Sequence, residues 1–277
     1  MSSESINSEI ASQRLCRFDI SASGGRTFPR AGGRTRMAFM QAAATSSSAL
    51  PALTGISSMA TRQLLGELAT LWRERTGQTV AIESVGGVDA ARRVQAGEAF
   101  DLVILASDAI DKLLAAGCLE PGCKVDIVLS GTSVAVPAGA IVPDISSEDA
   151  VRAAVWAAPS VSYSTGPSGV ALAALFDRWG IAEQVKPKIV TPPPGTPVAS
   201  LLASGRVALG FQQLSELIHV QGIRIVGPLP PAIAIDTVFS GAVRKGSAHA
   251  GAARELLAFM VSPEAEAAKR RQGMQPV

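Results

Sequence analysis

Residues 52–107, which read ALTGISSMATRQLLGELATLWRERTGQTVAIESVGGVDAARRVQAGEAFDLVILAS, decide the fold of this chain. Two short apolar runs, at 52–56 and 79–82, each enter a loop rich in serine and glycine, and each loop opens an amphipathic segment. A third apolar run, at 101–105, ends at Ser107. Such alternation is typical of strand–loop–helix units, which build a mostly parallel sheet. Because backbone N–H groups are unpaired where helices begin, these loops favour a bound anion.

The composition fits a globular protein and excludes several classes of function. The 277 residues are 47% hydrophobic and 17% charged, which is ample material for a core. A net charge of +2 and an aromatic content of only 4% give no support for a nucleic-acid surface. No apolar run reaches the roughly 20 residues that a membrane-spanning helix needs.

The residue types that hold metals and cofactors form no pattern in this sequence. The spacing of Cys16, Cys118, Cys123, His219 and His249 matches no zinc site. Cys118 and Cys123 flank a turn, and we expect two free thiols, with a disulfide in an oxidising compartment as the alternative. No phosphate-binding loop, dinucleotide glycine fingerprint or nucleophilic triad is present. We therefore expect no metal and no cofactor.

The chain divides into a leader and two lobes. Residues 1–48 are rich in serine, arginine and glycine and show no periodicity, so we interpret them as a disordered leader or a weak targeting segment. Residues 37–44 (MAFMQAAA) follow several arginines but are only weakly apolar for the core of a secretory signal. We expect lobe 1 to comprise 49–133 plus 237–277, and lobe 2 to comprise 134–236.

Periodicity and helix-end signals place the individual elements. Apolar residues recur at helical spacing over 62–76, and Gly77 follows as a common helix C-cap. The predicted helices are residues 62–76, 88–96, 109–116, 147–154, 170–179, 198–203, 250–261 and 263–271. The predicted strands are residues 52–56, 79–82, 101–105, 124–136, 160–163, 188–190, 207–211, 223–226 and 232–244.

The sharpest local signal in the second lobe is YSTGPSG, residues 163–169. It follows a predicted strand, precedes a predicted helix, and places the hydroxyls of Ser164, Thr165 and Ser168 beside two glycines. Tyr163 is the only tyrosine in the sequence. This combination favours an anion-binding loop over an ordinary strand-to-helix turn.

A pair of glutamines, Gln212 and Gln213, follows the buried run 207–211. A polar amide at the mouth of a buried strand is costly unless it finds partners, so we expect at least one of the two to serve the site. Glu216 and His219 lie on the helix-like segment that follows, and we expect both at the surface.

Each of these loops also has a purely structural interpretation. Ser57 and Ser58 would serve as helix N-caps, and Gly86 and Gly87 would serve a tight turn. The recurrence of both loops after strands of one lobe favours the ligand-binding interpretation. The candidate ligand-binding residues are Ser57, Ser58, Gly86, Gly87, Ser107, Ser164, Thr165, Ser168, Gly169, Gln212 and Gln213.

Several segments resemble the molybdate-binding-protein-like group of periplasmic solute-binding proteins. GISSMATRQLLGELATLWRERTG, the VGG loop after it, GEAFDLVILAS and the C-terminal FMVSPEAEAAKRRQGMQPV carry the resemblance, which covers about residues 52–277. The resemblance implies a type 2 binding-protein fold, with two α/β lobes joined by a double crossover. Each lobe is then a mostly parallel sheet flanked by helices, and the lobes close by a hinge around a ligand in the cleft.

The chain departs from the molybdate-binding pattern at two places. The resemblance implies that the first-loop serines are kept, but Gly86 and Gly87 stand where molybdate binders have a serine. Gln212 stands where they usually have a tyrosine. YSTGPSG and GFQQLSEL resemble the subgroup that includes aconitate isomerase, which implies a small polycarboxylate ligand. Glutamine suits such a ligand because its side chain supplies both donors and acceptors.

Two functions are consistent with these observations. The favoured one is a solute-binding protein that closes around a small oxyanion or carboxylate by hydrogen bonding alone, as the binding component of an ABC importer. The alternative is an isomerase that interconverts cis- and trans-aconitate, which needs a base beside the cleft. Tyr163 is the catalytic candidate, and Asp89 and Glu216 are the other possible bases; the residues do not decide among them.

The resemblance also carries expectations about partners and location. It implies a periplasmic protein, while the lack of a clear signal peptide leaves a cytoplasmic location open. We expect a monomer that binds a small anionic ligand, either an oxyanion or a di- or tricarboxylate, and that docks on an ABC permease. We expect no nucleic-acid partner and no membrane span.

Overall fold

The computed structural model describes residues 51–193 and 195–277, so the predicted leader at 1–48 lies outside the described residues. The described strands are β1 (Leu53–Ser58), β2 (Val80–Val85), β3 (Leu102–Ala106), β4 (Val125–Pro137), β5 (Val161–Tyr163), β6 (Leu209–Gln213), β7 (Ile223–Pro228), β8 (Asp236–Val243) and β9 (Gln275–Pro276). The described α-helices are α1 (Arg62–Thr76), α2 (Gly87–Gln95), α3 (Ser107–Ala115), α4 (Glu148–Ala157), α5 (Pro167–Arg178), α6 (Ala182–Val185), α7 (Val198–Ala203), α8 (Leu214–Leu217), α9 (Ala250–Met260) and α10 (Pro263–Arg271).

Helix α1 shows how directly the apolar pattern gives local structure. Its buried side chains are Leu64, Leu65, Leu68 and Trp72, which form one face of the helix. Burial of each leucine contributes about 2 kcal/mol. The helix ends at Gly77, whose φ of 75° is easily adopted only without a Cβ. The predicted bounds 62–76 are confirmed.

The strands form a mixed sheet in the order β2-β1-β3-β8-β4-β6-β5, with β7 and β9 also pairing with β4. Parallel pairs lie at the two flanks, where β1 pairs with β2 and β3, and β5 pairs with β6. The centre is antiparallel, because β8 runs against β3 and β4 while β4 runs against β6, β7 and β9. The α/β class is confirmed, and its parallel part belongs to the strand–loop–helix units.

Strand β4 is shared by both halves of the sheet. Residues 125–131 pair with β8, whereas residues 132–137 pair with β6 and β7. The partner changes between Gly131 and Thr132, close to the expected limit of lobe 1. The lobe limits 49–133, 237–277 and 134–236 stay a prediction.

The apolar core falls into separate clusters on either side of that change of partner. One large cluster joins α1, β3, β8, α9 and α10, and it includes Leu68, Ile104 and Leu257. A second joins α4, α5, β5 and β6, and it includes Phe176 and Phe211. Each half of the sheet therefore buries its own apolar surface, which is the arrangement that a two-lobed protein requires.

Several predicted elements differ from the observed ones at proline residues. The strand predicted at 188–190 is wrong, since Lys186–Lys188 is a 3₁₀ turn followed by a single bridge between Val161 and Ile189. The strand predicted at 232–244 begins only at Asp236, because a 3₁₀ turn that starts at a proline, Pro231–Ile233, precedes it. Proline fixes φ and lacks an N–H donor, which suits turns and helix starts better than strand interiors.

Cys118 and Cys123 are free thiols in this fold. Within the described ranges, no helix has both the length and the apolar character needed to cross a membrane.

Candidate functional site

The ends of β1 and β2 bring two serine hydroxyls together. Ser57 pairs with Ser84 in the parallel register, and their Oγ atoms are 2.8 Å apart. Ser57 was predicted as a site residue, whereas Ser84 was missed although it belongs to the same polar strand end. Ser57 is fully buried, so its hydroxyl is held in one place by the neighbouring strand.

Ser58 caps a short helical turn and also contacts the second predicted loop. Its backbone is extended, and its Oγ accepts a hydrogen bond from Ala60 N at 3.4 Å, which makes it an N-cap of the short 3₁₀ turn Met59–Thr61. The Cβ of an alanine at Gly87 would lie 3.8 Å from Ser58 Oγ, so the start of α2 packs against this serine. The first two predicted loops therefore meet at one edge of the sheet.

The glycine pair at the start of α2 does not depend on a left-handed backbone. Gly86 has a φ of −56°, which other residues adopt, and a Cβ there would meet no atom within 4 Å. Open space at Gly86 is compatible with the close approach of a ligand to the backbone. Ser107 begins α3 beyond the neighbouring strand β3, and we find no side-chain hydrogen bond from it to another predicted site residue within the described ranges.

A depression of about 470 Å³ near this strand end reaches Ser84. It lies between α1 and the edge strand β2, and Arg62, Arg73 and Thr79 contribute to its lining. No residue of the 163–169 loop lines it. It is therefore a groove on one lobe, and we do not identify it with the cleft between lobes.

The loop 163–169 of the second lobe folds back on itself. Ser164 Oγ and Ser168 Oγ are 2.9 Å apart, and α5 begins at Pro167. A Cβ at Gly169 would lie only 1.6 Å from the Ser164 carbonyl oxygen, so no residue but glycine fits without moving the loop. Ser164, Ser168 and Gly169 are thus brought together, whereas Thr165 is exposed.

Tyr163 packs into the apolar side of this lobe. Its ring meets Phe176 edge-to-face with centroids 5.8 Å apart. Desolvation raises the pKa of the Tyr163 hydroxyl, and the negative charge of Asp177 adds to the effect. A phenol with a raised pKa stays protonated at neutral pH, so this environment does not favour Tyr163 as a base.

The side chain of Gln212, in β6, bonds to both α7 and α8. It is only 2% exposed, and its Oε1 accepts a hydrogen bond from Ala199 N, in α7, at 3.0 Å. Its Nε2 donates to Glu216 Oε1 at 2.9 Å. Tyr163 pairs with Phe211, so Gln212 lies at the same sheet edge as the 163–169 loop.

The expectation that Glu216 lies at the surface is wrong. Helix α8 begins directly after β6, so Glu216 folds back against Gln212 and is only partly exposed. Desolvation raises the pKa of its carboxyl to about 7, against the opposing effect of the Gln212 hydrogen bond. His219 is exposed as expected, with its Nε2 2.6 Å from Gln272 Oε1.

Gln213 faces away from Gln212, as neighbouring residues of a strand do. Its amide lies 3.0 Å from Thr237 Oγ1. The orientation that satisfies both ends accepts from Thr237 and donates to Ser130 Oγ at 2.8 Å and to the Ser130 carbonyl oxygen at 3.0 Å. Gln213 thus has protein partners on β4 and β8, and its predicted ligand contact stays a prediction.

Helix α8 also contacts the 3₁₀ turn Met59–Thr61, which follows the predicted site residue Ser58. Ser215 Oγ donates to the Ala60 carbonyl oxygen at 2.8 Å, across 155 residues of sequence. Ala60 lies two residues after Ser58, and both Ser215 and Ala60 are buried. Glu216 therefore lies one residue from a contact between the two predicted halves of the site.

The remaining candidates lie outside this arrangement. Asp89 pairs with Arg92 on the exposed side of α2. Within the described ranges, no group of three or more His, Cys, Asp or Glu side chains is arranged to hold a metal ion. The polar groups of the site are hydroxyls, amides and one carboxyl, which suit an oxygen-rich anion and proton transfer.

Comparison with known proteins identifies the family. The sequence model of a family described as "Bacterial extracellular solute-binding protein" matches residues 53–275. An aconitate isomerase from Pseudomonas sp. is 37% identical over 233 residues, which cover 81% of this chain and 88% of the relative.

Solved structures of binding proteins share the fold. The periplasmic molybdate-binding protein of Azotobacter vinelandii superposes with a TM-score of 0.68 at 22% identity, over 80% of this chain and 98% of that one. The sulfate-binding protein SubI of Mycobacterium tuberculosis superposes with a TM-score of 0.67 at 18% identity, over 82% of this chain and 87% of that one. The two-lobed fold expected from the resemblance is confirmed, and the chain belongs to the family of bacterial extracellular solute-binding proteins.

Proposed function

We propose that this chain binds a small polycarboxylate between its lobes and isomerises it, with cis- and trans-aconitate as the substrates. The observation that carries the proposal is a partly buried carboxyl with a pKa of about 7, Glu216, which accepts a hydrogen bond from the predicted ligand residue Gln212. A protein that only binds an anion has no need of a second negative group there, since like charges repel. The 37% identity to an aconitate isomerase supports the same function.

The rest of the site suits a carboxylate ligand. Helices α2, α3 and α5 each begin directly after a strand or its short loop, so their unpaired N–H groups lie at the carboxyl ends of parallel strands. The serine hydroxyls of both lobes add donors that rotate to fit an acceptor. Such groups would hold the carboxylates of the substrate and stabilise the charge that develops on them when a neighbouring carbon loses a proton.

The reaction itself needs only proton transfer. Aconitate has a methylene carbon and a vinyl carbon on either side of the carbon that bears its central carboxylate. Removal of a methylene proton and addition of a proton at the former vinyl carbon moves the double bond and regenerates the same skeleton. The geometry of the new double bond depends on how the terminal carboxylate is held when the proton leaves. Atoms and electrons balance without an oxidant, a reductant or a cofactor.

A second function is supported by the family itself. Solute-binding proteins close around a ligand without changing it, and the paired Ser57 and Ser84 hydroxyls would serve an oxyanion or a carboxylate equally well. In that case the chain delivers its ligand to an ABC permease. Under both functions we propose a monomer located outside the cytoplasm, as the family name indicates.

One experiment separates the two functions. The purified full chain is tested for thermal stabilisation by cis-aconitate, trans-aconitate, the saturated analogue tricarballylate, molybdate and sulfate. A ligand present at 100 times its Kd adds about 2.7 kcal/mol to the free energy of unfolding, which a melting curve detects readily. Each stabilising ligand is then followed by proton NMR over hours.

The outcomes are distinct. Interconversion of the cis and trans vinyl signals supports the isomerase. Stabilisation by either aconitate isomer with an unchanged spectrum overturns the isomerase and supports a carboxylate receptor. Stabilisation by molybdate or sulfate alone overturns the carboxylate assignment and leaves an oxyanion receptor.

A further inference from the structure

We propose that Glu216 is the catalytic residue that removes the proton from the substrate and returns it, and that Gln212 is the residue that positions it. The inference rests on the proposed isomerase function and names the group in this chain that performs it. Three features of the structure support it: the orientation of the carboxyl, the contact of the neighbouring Ser215 with Ala60 and the environment of the carboxyl.

One oxygen of the Glu216 carboxyl is held by a hydrogen bond from Gln212, which orients the carboxyl. Gln212 cannot rotate freely, because Ala199 N donates to its Oε1 and its Nε2 therefore faces Glu216. That amide nitrogen donates a hydrogen bond to Glu216 Oε1 at 2.9 Å. We find no hydrogen bond to Glu216 Oε2 from any described residue, so this oxygen is the one available to a substrate C–H group.

The position of Glu216 suits a ligand held by both lobes. It follows the end of β6, which lies beside β5 and the 163–169 loop. The preceding residue, Ser215, bonds to Ala60 just after the first-lobe serines. A ligand in contact with the loops of both lobes would therefore lie near α8.

The environment keeps the carboxyl able both to accept and to release a proton. No arginine or lysine among the described residues forms an ion pair with Glu216, and no charged group contributes to its shifted ionisation. Desolvation dominates and raises its pKa to about 7, so both protonation states are populated near neutrality. A pKa near the working pH is the most effective one for general acid–base catalysis.

The other candidate bases are less suited to the reaction. The pKa of Tyr163 is raised, which keeps the phenol protonated, and its ring packs against Phe176. The Asp89 side chain is 44% exposed and pairs with Arg92 on α2. Glu216 is the candidate that is both shielded and without a cation.

One group, Glu216, both accepts the proton from the substrate and returns it. Glu216 Oε2 forms an O–H bond as the methylene C–H bond breaks, and the electron pair of that C–H bond becomes part of the new double bond. The electrons of the old double bond then take a proton at the former vinyl carbon. When that proton comes from Glu216, the carboxylate is regenerated and the cycle is complete.

The test compares three variants of the full chain with the wild type: Glu216→Gln, Tyr163→Phe and the exposed control Glu74→Gln. Isomerisation of cis- and trans-aconitate and uptake of solvent deuterium into the substrate are followed by NMR in D₂O. Loss of a general base typically lowers the rate by about 10²–10⁴-fold. We expect that loss in Glu216→Gln for both readouts, with stabilisation by aconitate retained, and no loss in Glu74→Gln.

The pH dependence gives a second, independent readout. The wild-type kcat/KM should fall as the pH drops below about 7, because protonated Glu216 cannot accept a proton. Gln212→Met removes the hydrogen bond that lowers the pKa of Glu216, so this fall should move to higher pH. A purely structural role for Gln212 would lower stability without moving the profile.

The results distinguish the two proposals. If the wild type isomerises aconitate and Glu216→Gln does so equally fast, the assignment of Glu216 is overturned while the isomerase function stands. Loss of exchange in Tyr163→Phe with exchange retained in Glu216→Gln would transfer the role to Tyr163. If the wild type neither isomerises aconitate nor exchanges its protons, both proposals are overturned together.

Discussion

Two shielded carboxyls in this protein, Asp101 and Glu216, have pKa values shifted in opposite directions. Asp101 lies at the amino end of β3, and its side chain is 11% exposed. Thr54 N donates to it at 2.8 Å, Thr54 Oγ1 at 3.1 Å and Ser247 Oγ at 2.7 Å, and His249 Nδ1 lies 3.2 Å away. Glu216, in contrast, accepts one hydrogen bond, from Gln212.

Desolvation acts on both groups in the same direction, and the donors decide the outcome. Burial would raise the pKa of Asp101, but the bonds from Thr54 and Ser247 and the nearby His249 outweigh it and lower the pKa. At Glu216, desolvation outweighs the single hydrogen bond from Gln212, and the pKa rises to about 7. A carboxylate with several donors is a structural anchor, whereas one with a single donor remains able to exchange protons.

The largest effect is expected at Asp101. The Asp101→Asn variant removes the charge and turns an amide NH₂ toward hydroxyl and amide donors, so we expect it to lose about 3 kcal/mol of unfolding free energy at pH 7. Because the folded pKa of Asp101 lies below the unfolded one, its contribution is present above about pH 4 and is lost as the pH falls through the folded value. Urea denaturation of the variant and the wild type at pH 7 and at pH 3 measures the loss of stability and its dependence on pH.

The matched control is Asp111→Asn, which removes an aspartate that pairs with Lys124 while 59% of its side chain is exposed. Exposed ion pairs contribute about 0–1 kcal/mol, so the control should change little at either pH. An equal loss for Asp101→Asn and Asp111→Asn would contradict the anchor role of Asp101.

The opposite sign is expected at Glu216. Its folded pKa, about 7, lies above its ordinary value of 4.5, so the native state binds more protons than the unfolded state between these pH values. The unfolding free energy of the wild type should therefore decrease as the pH rises across this window. Glu216→Gln removes the titrating group and should be more stable than the wild type at pH 8 by about 2–3 kcal/mol, with the advantage fading toward pH 5.

Denaturation of Glu216→Gln, Glu74→Gln and the wild type at pH 5 and pH 8 checks this sign. Glu74 is exposed, so its variant should follow the wild type at both pH values. A loss of stability in Glu216→Gln at pH 8 would show that the carboxylate is stabilised in the fold, as Asp101 is.

An intermediate effect is expected at Ser247. Its Oγ donates to Asp101 and accepts from His249 N at 3.0 Å, so Ser247→Ala removes one bond to a charged group and one bond to the backbone just before α9. We expect a loss of about 2 kcal/mol. If the effects of Ser247→Ala and Asp101→Asn add in the double variant, the two residues do not form one network.

The smallest effect is expected at His249. This histidine is 35% exposed, and its charge is the last of the contributions that lower the pKa of Asp101. His249→Gln should lose less than about 1 kcal/mol, as partly exposed ion pairs do. A loss as large as that of Asp101→Asn would show that His249, rather than Thr54 and Ser247, is the main partner of Asp101.

The sequence by itself determined the local units of this protein. The bounds of α1 and α10 were predictable because helical periodicity, Gly77 and Pro263 are signals within one segment. The serines at the end of β1 and the YSTGPSG segment were predictable as strand-to-helix turns for the same reason, whereas their contact with a ligand stays a prediction. Strand-to-helix turns with hydroxyls and glycines are local patterns.

Only the tertiary structure decided how these units meet. Which of Gln212 and Gln213 faces Glu216 depends on the register of β6 against β4 and β5, since a shift of one residue reverses every side chain. Ser84 joined Ser57 because their strands pair, and Asp101 met Ser247 and His249 across more than 140 residues of sequence. The pKa of a carboxyl depends on its three-dimensional shell of donors and water, which no spacing along the chain records.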